Sequence, residues 1–220
     1  MTATREPASP PRGRFISLEG GEGAGKSTLL AGLRGYFARQ GRDVLYTREP
    51  GGTPVGEAIR VLVLDPAQRG IGAETELLLM FAARAQLVRD VLQPALAAGR
   101  WVLCDRFVDA SYAYQGGGRG VEVARIAEVE RIATGGLLPD LTLLLDLPVA
   151  AGRVRARQRG TADRIESERD DFFQRVRAAY HARVQAEPAR FCVLDAALPA
   201  AAVLQAAVTA IASLSVEHAR

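Results

Sequence analysis

The residues best suited to chemistry lie in the stretch GGEGAGKST, Gly20 to Thr28, which holds the only lysine of the chain. Gly20 and Gly25 bracket four residues and are followed by Lys26 and Ser27, the G-x-x-x-x-G-K-[ST] spacing of a phosphate-binding loop. Glycines let the backbone wrap around a phosphate, and the helix that follows directs its positive end to the same place. Lys26 would reach the β- and γ-phosphates, and Ser27 would place its hydroxyl on Mg²⁺. A chance glycine-rich turn is the alternative, which the position between a strand and a helix disfavours.

Two more charged candidates follow apolar runs that are typical of strands. Asp105 ends the run WVLCD, where a carboxylate could hold Mg²⁺, and Arg106 beside it could clamp a phosphate. In TREPGGT, Arg48 precedes Pro50 and two glycines, which break the strand and bring backbone close to a ligand. Taken alone, a solvated turn is the preferred explanation of Arg48, and a surface pair would explain Asp105 and Arg106 equally well.

Two other stretches could recognise an organic ligand. Arg84 follows Met80 by four residues and Phe81 by three, so a helix would gather an arginine and an apolar surface on one side. Packing alone would also account for Met80 and Phe81. The stretch SYAYQGGGRG, residues 111–120, offers hydroxyls, an amide and glycines that could read the edge of a base.

A strongly cationic segment, RVRARQRGTADRIE, comes late in the chain. Its arginines alternate at Arg153, Arg155, Arg157 and Arg159. Because helical neighbours are three or four residues apart, these side chains spread over several faces. We expect a helix running into a mobile flap with Gly160 and Arg164, which would neutralise a transferred phosphate and exclude water. A solvated helix with salt bridges to Glu166 and Glu168 is the alternative.

Five apolar runs must position these residues: RFISLEG, DVLYTREP, RWVLCDRF, LTLLLDLP and FCVLDA. They are nearly continuous and are separated by helical patterns, which is typical of a parallel sheet covered on both faces. The sequence therefore predicts a doubly wound α/β fold. We also expect one long helix from about residue 74 to residue 98, ended by Gly99, and a structural helix from about Pro199 to Leu214.

Composition limits the class of protein. With 220 residues and 48% hydrophobic residues, the chain fits a single domain over residues 14–220 after a disordered, proline-rich tail over residues 1–13. The net charge of +3 is spread along the chain, which favours small anions such as nucleotides over nucleic acid. No apolar run reaches the roughly 20 residues of a membrane span, so we expect a cytoplasmic protein. Cys104 and Cys192 lie in strand-like runs and are expected to be structural thiols.

Several of these stretches, in this order, together resemble bacterial thymidylate kinase of the type with its catalytic arginine in the lid. They are GGEGAGKST, TREPGGT, LLLMFAARAQ, CDRF, YAYQGGGRG, PDLTLLLDLP and RGTADRIE. TREPGGT with YQGGGRG is the most specific part. The resemblance implies a P-loop nucleoside monophosphate kinase fold, a five-stranded parallel sheet with a mobile lid at about residues 153–168. It also implies transfer of the γ-phosphoryl group of ATP to dTMP with Mg²⁺, and a homodimer packed through long helices. From composition we expect no nucleic-acid or membrane partner.

The resemblance further implies a role for each candidate residue. Catalysis would fall to Lys26, Arg159, Asp105 and Arg48. ATP would contact Gly20, Gly21, Glu22, Gly23, Ala24, Gly25, Lys26, Ser27, Thr28, Arg155, Arg157 and Arg164. The metal would be held by Ser27 and Asp105. The acceptor dTMP would contact Glu22, Arg48, Met80, Phe81, Arg84, Arg106, Ser111, Tyr112 and Gln115, with either Met80 or Phe81 covering the thymine.

Two other classes remain open at this point. A kinase for another nucleoside monophosphate or a deoxynucleoside would keep the phosphate loop and differ in the acceptor pocket. A nucleotide-dependent switch would hydrolyse ATP or GTP slowly and couple to a partner. The arginine-rich lid and the lack of an N-K-x-D base-reading motif disfavour the switch.

Overall fold

The computed structural model describes residues 12–68, 70–158 and 163–216. Its strands are β1 (Phe15–Gly20), β2 (Val44–Arg48), β3 (Trp101–Asp105), β4 (Leu141–Asp146) and β5 (Phe191–Asp195). All neighbours pair in parallel, in the order β2-β3-β1-β4-β5. Each strand coincides with one of the five apolar runs, so the predicted parallel sheet is confirmed.

The helices fill the connections between strands. They are α1 (Lys26–Arg39), α2 (Pro54–Leu64), α3 (Ala73–Leu87), α4 (Gln93–Ala97), α5 (Val108–Ser111), α6 (Val123–Thr134), α7 (Val149–Arg157), α8 (Asp170–Ala186) and α9 (Ala200–Val216). Two π-helical segments, Val88–Leu92 and Tyr112–Gly118, follow α3 and α5, and a 3₁₀ turn, Pro188–Arg190, precedes β5. No helix in the described ranges combines the length and apolar character needed to cross a bilayer.

The long helix predicted over residues 74–98 is present as α3, a π-helical segment and α4 in succession. Pro94 has no N–H to donate to the carbonyl four residues earlier, and the wider π-helical turn lies directly before it. The helix ends where predicted, because Gly99 adopts a left-handed conformation (φ 78°) and donates its N–H to the Leu96 carbonyl, 3.0 Å away.

Two apolar layers enclose the sheet. On one side α1 and α9 pack against it through Leu33, Phe37 and Ile211. On the other side the long helix and α8 contribute buried side chains such as Leu92 and Tyr180. The C-terminal helix thus has the covering role that its alanine-rich sequence predicts. The carboxyl ends of β1, β2 and β3 align, with Leu18 and Arg48 both opposite Asp105, and this edge is where open parallel sheets bind ligands.

The ordered domain begins slightly earlier than predicted. Arg12 and Gly13 were expected to belong to the tail, but Arg12 forms an ion pair with Asp140 (3.1 Å) and the Gly13 N–H bonds to the Leu96 carbonyl (2.8 Å). Residues 1–11 lie outside the described residues. The two cysteines are free and lie in β3 and β5, where burial raises the pKa of both thiols, as expected of structural cysteines.

Candidate active site

A cavity of about 220 Å³ opens at the carboxyl ends of β1 and β3. Its walls come from the phosphate loop, the strand ends, α2, α3, the π-helical region after α5 and the segment after residue 162. The lining residues are Glu22 to Ser27, Glu49, Pro50, Arg60, Leu64, Met80, Arg84, Asp105, Arg106, Ala110, Ser111, Tyr114, Gln115, Asp163, Ile165 and Glu166. Phosphate-loop residues and the middle of α3 therefore face one space.

The phosphate loop is held against α7 by two glycines. Gly23 has φ 72°, and a Cβ there would lie 2.0 Å from the Gly152 carbonyl oxygen. A Cβ on Gly152 would in turn lie 2.3 Å from the Glu22 carbonyl oxygen. Because neither position has room for a side chain, the loop backbone packs directly on the helix. Sequence reasoning missed Gly152, although a glycine inside the helical pattern VAAGRVRAR is a signal of close approach.

Lys26 stands at the first turn of α1, where the helix N-terminus meets the loop. Its Nζ donates to the carbonyl oxygens of Gly20 (2.9 Å) and Gly21 (3.1 Å). Burial lowers the pKa of Lys26 to about 8, with Arg106 adding to the effect and the carboxylates of Glu22 and Asp105 opposing it. An anionic phosphate here would stabilise the charged lysine. The predicted contact residue Thr28 is exposed and lies outside the lining, as do Gly20 and Gly21.

Asp105 and Ser27 fit a magnesium ion. Both line the cavity, and Asp105 Oδ1 is buried without a hydrogen-bond partner in the described part of the chain. An unpaired buried carboxylate oxygen is costly unless a ligand satisfies it. The described residues contain no cluster of three or more His, Cys, Asp or Glu side chains arranged for a metal. Mg²⁺ needs no such cluster, since one or two protein ligands with waters and substrate phosphates suffice.

Arg106 is fixed by bonds on both sides of its guanidinium, and its backbone is left-handed, with φ 70°. One terminal nitrogen donates to the Gly20 carbonyl (3.1 Å) and the Tyr180 hydroxyl (3.2 Å). The other donates to Glu22 Oε1 (2.7 Å) and the Tyr114 hydroxyl (3.0 Å). Burial alone would lower the pKa of Arg106, but Tyr114, Tyr180 and the acidic neighbours hold it well above its usual value. Arg106 thus stays charged beside the loop.

Arg106 is supported by a buried layer that contains Glu19 and Tyr180. Glu19, at the end of β1, is fully buried and accepts hydrogen bonds from the Phe107 N–H and the Tyr180 hydroxyl, each 2.7 Å long. Burial raises the pKa of Glu19 to about 8, and the charge of Asp109 adds to the rise. Sequence reasoning missed Glu19 and Tyr180. Their contact joins β1 to α8, which lies far along the chain, so no local pattern indicates it.

Arg84 is buried in the opposite wall. It donates to Glu49 Oε2 (2.7 Å), the Ser111 hydroxyl (3.0 Å) and the Phe107 carbonyl (3.1 Å). Its guanidinium lies 4.3 Å from the centre of the Phe81 ring. Phe81 therefore packs behind Arg84 and is absent from the lining, whereas Met80 faces the cavity with Leu64 and Ile165. Of the two candidates for a base-covering side chain, the structure places Met80 at the cavity.

The π-helical segment Tyr112–Gly118 forms part of the cavity wall. Arg119 donates its N–H to the Tyr114 carbonyl five residues earlier (2.9 Å), as the wider turn requires. Ser111, Tyr114 and Gln115 line the cavity. Tyr112, which the sequence analysis assigned to the acceptor, instead packs against the guanidinium of Arg183, 4.1 Å from its ring. Tyr114 therefore lines the cavity and Tyr112 does not, since Tyr114 and Gln115 follow Ser111 by three and four residues and share its side of the helix.

Arg48 also lies elsewhere than expected. Its side chain is 54% exposed and pairs with Glu57 (3.0 Å), outside the lining. Arg60, one of the residues that sequence reasoning missed, lines the cavity and donates to the Pro50 carbonyl (3.0 Å). The strand ends with Arg48 at the surface, and α2 carries Arg60 back over the cavity.

The described arginines of the predicted lid do not reach the cavity. Arg155 donates to the Ala196 carbonyl (2.9 Å), and both Arg155 and Arg157 are exposed. Arg164 donates to the Val63 carbonyl (2.7 Å) and to Glu76 (2.6 Å). None of these three arginines is part of the cavity lining. Arg159, the predicted catalytic arginine, and Gly160 lie outside the described residues.

Glu76, in the first turn of α3, is the centre of a buried polar cluster. Its Oε1 accepts from Gln115 Nε2 (2.8 Å), and its Oε2 accepts from Arg164 (2.6 Å) and Arg119 Nε (3.2 Å). Burial by itself would raise the pKa of Glu76. The hydrogen bonds from Gln115 and Arg164, with the charge of Arg119, outweigh burial and hold the pKa below its usual range.

Comparisons with known proteins agree with this geometry. The family model for thymidylate kinase matches residues 18–207. A thymidylate kinase of Pseudomonas entomophila is 57% identical over 194 residues, which is 88% of this chain and 92% of the relative. One of Alkalilimnicola ehrlichii is 55% identical over 203 residues, covering 92% and 94%. The crystal structure of thymidylate kinase from Ehrlichia chaffeensis superposes with a TM-score of 0.74 at 27% identity, covering 91% and 99%.

Proposed function

Because the chain belongs to the thymidylate kinase family, we propose that the γ-phosphoryl group of ATP passes to dTMP in this cavity, giving dTDP and ADP. The family makes the protein an ATP-dependent phosphotransferase. The observation that carries the site assignment is the single space shared by the phosphate loop and the wall of Met80 and Arg84. A kinase must align the phosphate of the acceptor with the γ-phosphate of the donor. One continuous cavity between the phosphate loop and the wall of Met80 and Arg84 allows both phosphates to meet.

The donor lies at the loop. We infer that loop amides and the N-terminus of α1 surround the phosphates of ATP, while Lys26 exchanges its two carbonyl partners for phosphate oxygens. Ser27 and Asp105 would hold Mg²⁺, which when bound neutralises charge on the donor phosphates. The unpartnered Oδ1 of Asp105 supports this assignment.

The acceptor lies at the opposite wall. Met80, with Leu64 and Ile165, gives an apolar surface for the thymine ring, and Ser111 and Gln115 lie at its edge. Arg60, Arg84 and Arg106 supply positive charge for the acceptor phosphate, so Arg60 takes the place first expected for Arg48. Glu22, which the resemblance assigns to the 3′-hydroxyl of the acceptor sugar, is held by Arg106 and Tyr114.

Transfer needs alignment and charge stabilisation more than proton transfer. The acceptor phosphate is already anionic, so no strong base is required. Lys26 and Arg106 both donate to the Gly20 carbonyl oxygen at the loop and would stabilise the equatorial oxygens during transfer. We retain the hypothesis that Arg159 adds a further positive charge beside these oxygens when the lid closes.

Titration calorimetry with three variants tests the division of the cavity. Lys26→Met should weaken ATP binding at least about tenfold and leave dTMP binding nearly unchanged, since charge-assisted hydrogen bonds are lost only at the donor end. Arg60→Ala should weaken dTMP binding and leave ATP binding nearly unchanged. Arg48→Ala is the matched control and should change neither affinity by more than about threefold, because exposed ion pairs contribute little. Loss of dTMP binding in Arg48→Ala but not in Arg60→Ala would refute the assignment.

We further propose that the enzyme is a cytoplasmic homodimer. The dimer is supported by exposed apolar side chains on the neighbouring helices α2, α3 and α6. These side chains are Val61, Leu62, Leu78, Val123 and Ile132. Such surface on adjacent helices is typical of an interface. Sedimentation should give a dimer for the native chain and a monomer for Ile132→Glu, and a monomeric native chain would refute the proposal.

A further inference from the structure

Glu76 is placed to control a residue at the acceptor wall without touching the cavity itself. Its side chain is 1% exposed and is absent from the cavity lining, whereas its partner Gln115 is part of that lining. Both carboxylate oxygens of Glu76 accept hydrogen bonds, from three residues on two separate parts of the chain, the stretch 111–120 and Arg164. Glu76 is therefore held in one position, and Gln115 is held by it.

The chemistry of this contact fixes the orientation of the Gln115 amide. An ionised carboxylate only accepts hydrogen bonds, so the side of the amide that faces Glu76 must be the NH₂ group. Gln115 Nε2 does donate to Glu76 Oε1, at 2.8 Å. The amide oxygen is then left on the other side, and in the described part of the chain it receives no hydrogen bond. The amide oxygen of Gln115 is therefore available to accept a hydrogen bond from a ligand in the cavity.

We propose that Glu76 is a positioning residue for base selectivity, which makes Gln115 present its carbonyl oxygen to a pyrimidine that carries an N3–H donor. This inference rests on the proposed placement of thymine beside Gln115. Thymine and uracil both carry a hydrogen on N3. Cytosine has an unprotonated N3, which would leave two acceptors facing each other, and such a mismatch is costly in a buried site.

The arginines around Glu76 keep the contact from rearranging. Arg164 also donates to the Val63 carbonyl (2.7 Å), and Arg119 pairs with Glu168 and lies 4.8 Å from the Phe172 ring. Because both guanidiniums are fixed by further partners, the carboxylate of Glu76 cannot rotate without breaking several hydrogen bonds. Arg164, which the resemblance assigns to ATP, thus also contacts the carboxylate that holds Gln115.

The test is Glu76→Gln, a substitution of nearly equal shape whose amide can donate as well as accept. Gln115 can then turn and present its NH₂ group to the cavity. We expect the ratio of kcat/KM for dTMP to that for dCMP to fall by about tenfold or more, since one hydrogen bond changes from matched to mismatched. The ratio of dTMP to dUMP should stay within about twofold, because both bases carry the N3–H. A purely structural role would lower all three values together and leave both ratios unchanged, which would overturn the inference.

Gln115→Met is the second variant and leaves the ionic cluster of Glu76 in place. It should lower the dTMP to dCMP ratio to a similar extent, and adding Glu76→Gln to it should lower the ratio no further. If Glu76→Gln fails to fold, an unchanged ratio in Gln115→Met still overturns the inference. Wild-type enzyme that does not turn over dTMP would instead refute the proposed function, so the two failures are distinguishable.

Discussion

Gly152→Ala gives the sharpest test of how the phosphate loop is held. The new Cβ would lie 2.3 Å from the Glu22 carbonyl oxygen, and both atoms belong to backbone segments that cannot swing aside as a side chain can. Reaching an ordinary contact requires about 1 Å of movement between α7 and the loop. Because the loop amides are expected to hold ATP, this movement should disturb binding as well as packing.

Two opposing effects set the magnitude. Alanine is favoured over glycine inside a helix by about 1 kcal/mol, whereas overpacking costs about 1–3 kcal/mol. We expect a net loss of up to about 2 kcal/mol, which lowers Tm by at most about 4–8 °C for a chain of this size, and a KM for ATP raised about tenfold or more. The matched control is Gly35→Ala in α1, whose Cβ would meet only the end of the Arg39 side chain, at 3.4 Å.

Calorimetry and initial-rate kinetics on both variants decide between the effects. Gly35→Ala should be as stable as the native chain or more so, with an unchanged KM. If Gly152→Ala were equally stabilising and kept its KM for ATP, helix propensity would explain both glycines. The direct packing of the loop on α7 would then be refuted.

Three further predictions concern the donor end of the cavity. The pKa of Lys26 is lowered to about 8 in the folded protein, so the charged form is lost as pH rises through about 8. The kcat/KM for ATP should fall above this pH, and a profile that stays flat to pH 9.5 would contradict the role of Lys26. Asp105→Asn should raise the Mg²⁺ concentration for half-maximal activity about tenfold, and an unchanged requirement in a magnesium titration would argue against Asp105 as a ligand. Arg159→Ala should lower kcat about a thousandfold with dTMP affinity nearly intact, and unchanged turnover would refute the lid assignment.

Local sequence patterns were sufficient to predict the sheet and the phosphate loop. Strands buried on both faces read as continuous apolar runs, so all five were predicted, and the resemblance to thymidylate kinase is confirmed by the comparisons. The G-x-x-x-x-G-K-S spacing predicts a loop followed by a helix, and α1 does begin at Lys26, because the two are contiguous in sequence.

Side-chain directions at the acceptor wall were harder to predict. Tyr112 and Tyr114 are two residues apart, and the tertiary packing determines that the side of the helix with Ser111, Tyr114 and Gln115 faces the cavity. Met80 and Phe81 are adjacent, and the buried contact of Phe81 with Arg84 decides between them. The bond from Gln115 to Glu76 joins residues 39 positions apart, which no local pattern indicates.

The most direct test of the whole account is ADP formation by the purified protein with ATP and Mg²⁺, comparing dTMP, dUMP, dCMP, AMP and no acceptor. We expect strong stimulation by dTMP, weaker turnover of dUMP and little with the others. Preferred turnover of dCMP or AMP, or slow hydrolysis that no acceptor changes, would contradict the assignment of the acceptor wall and leave only the phosphate loop correctly interpreted.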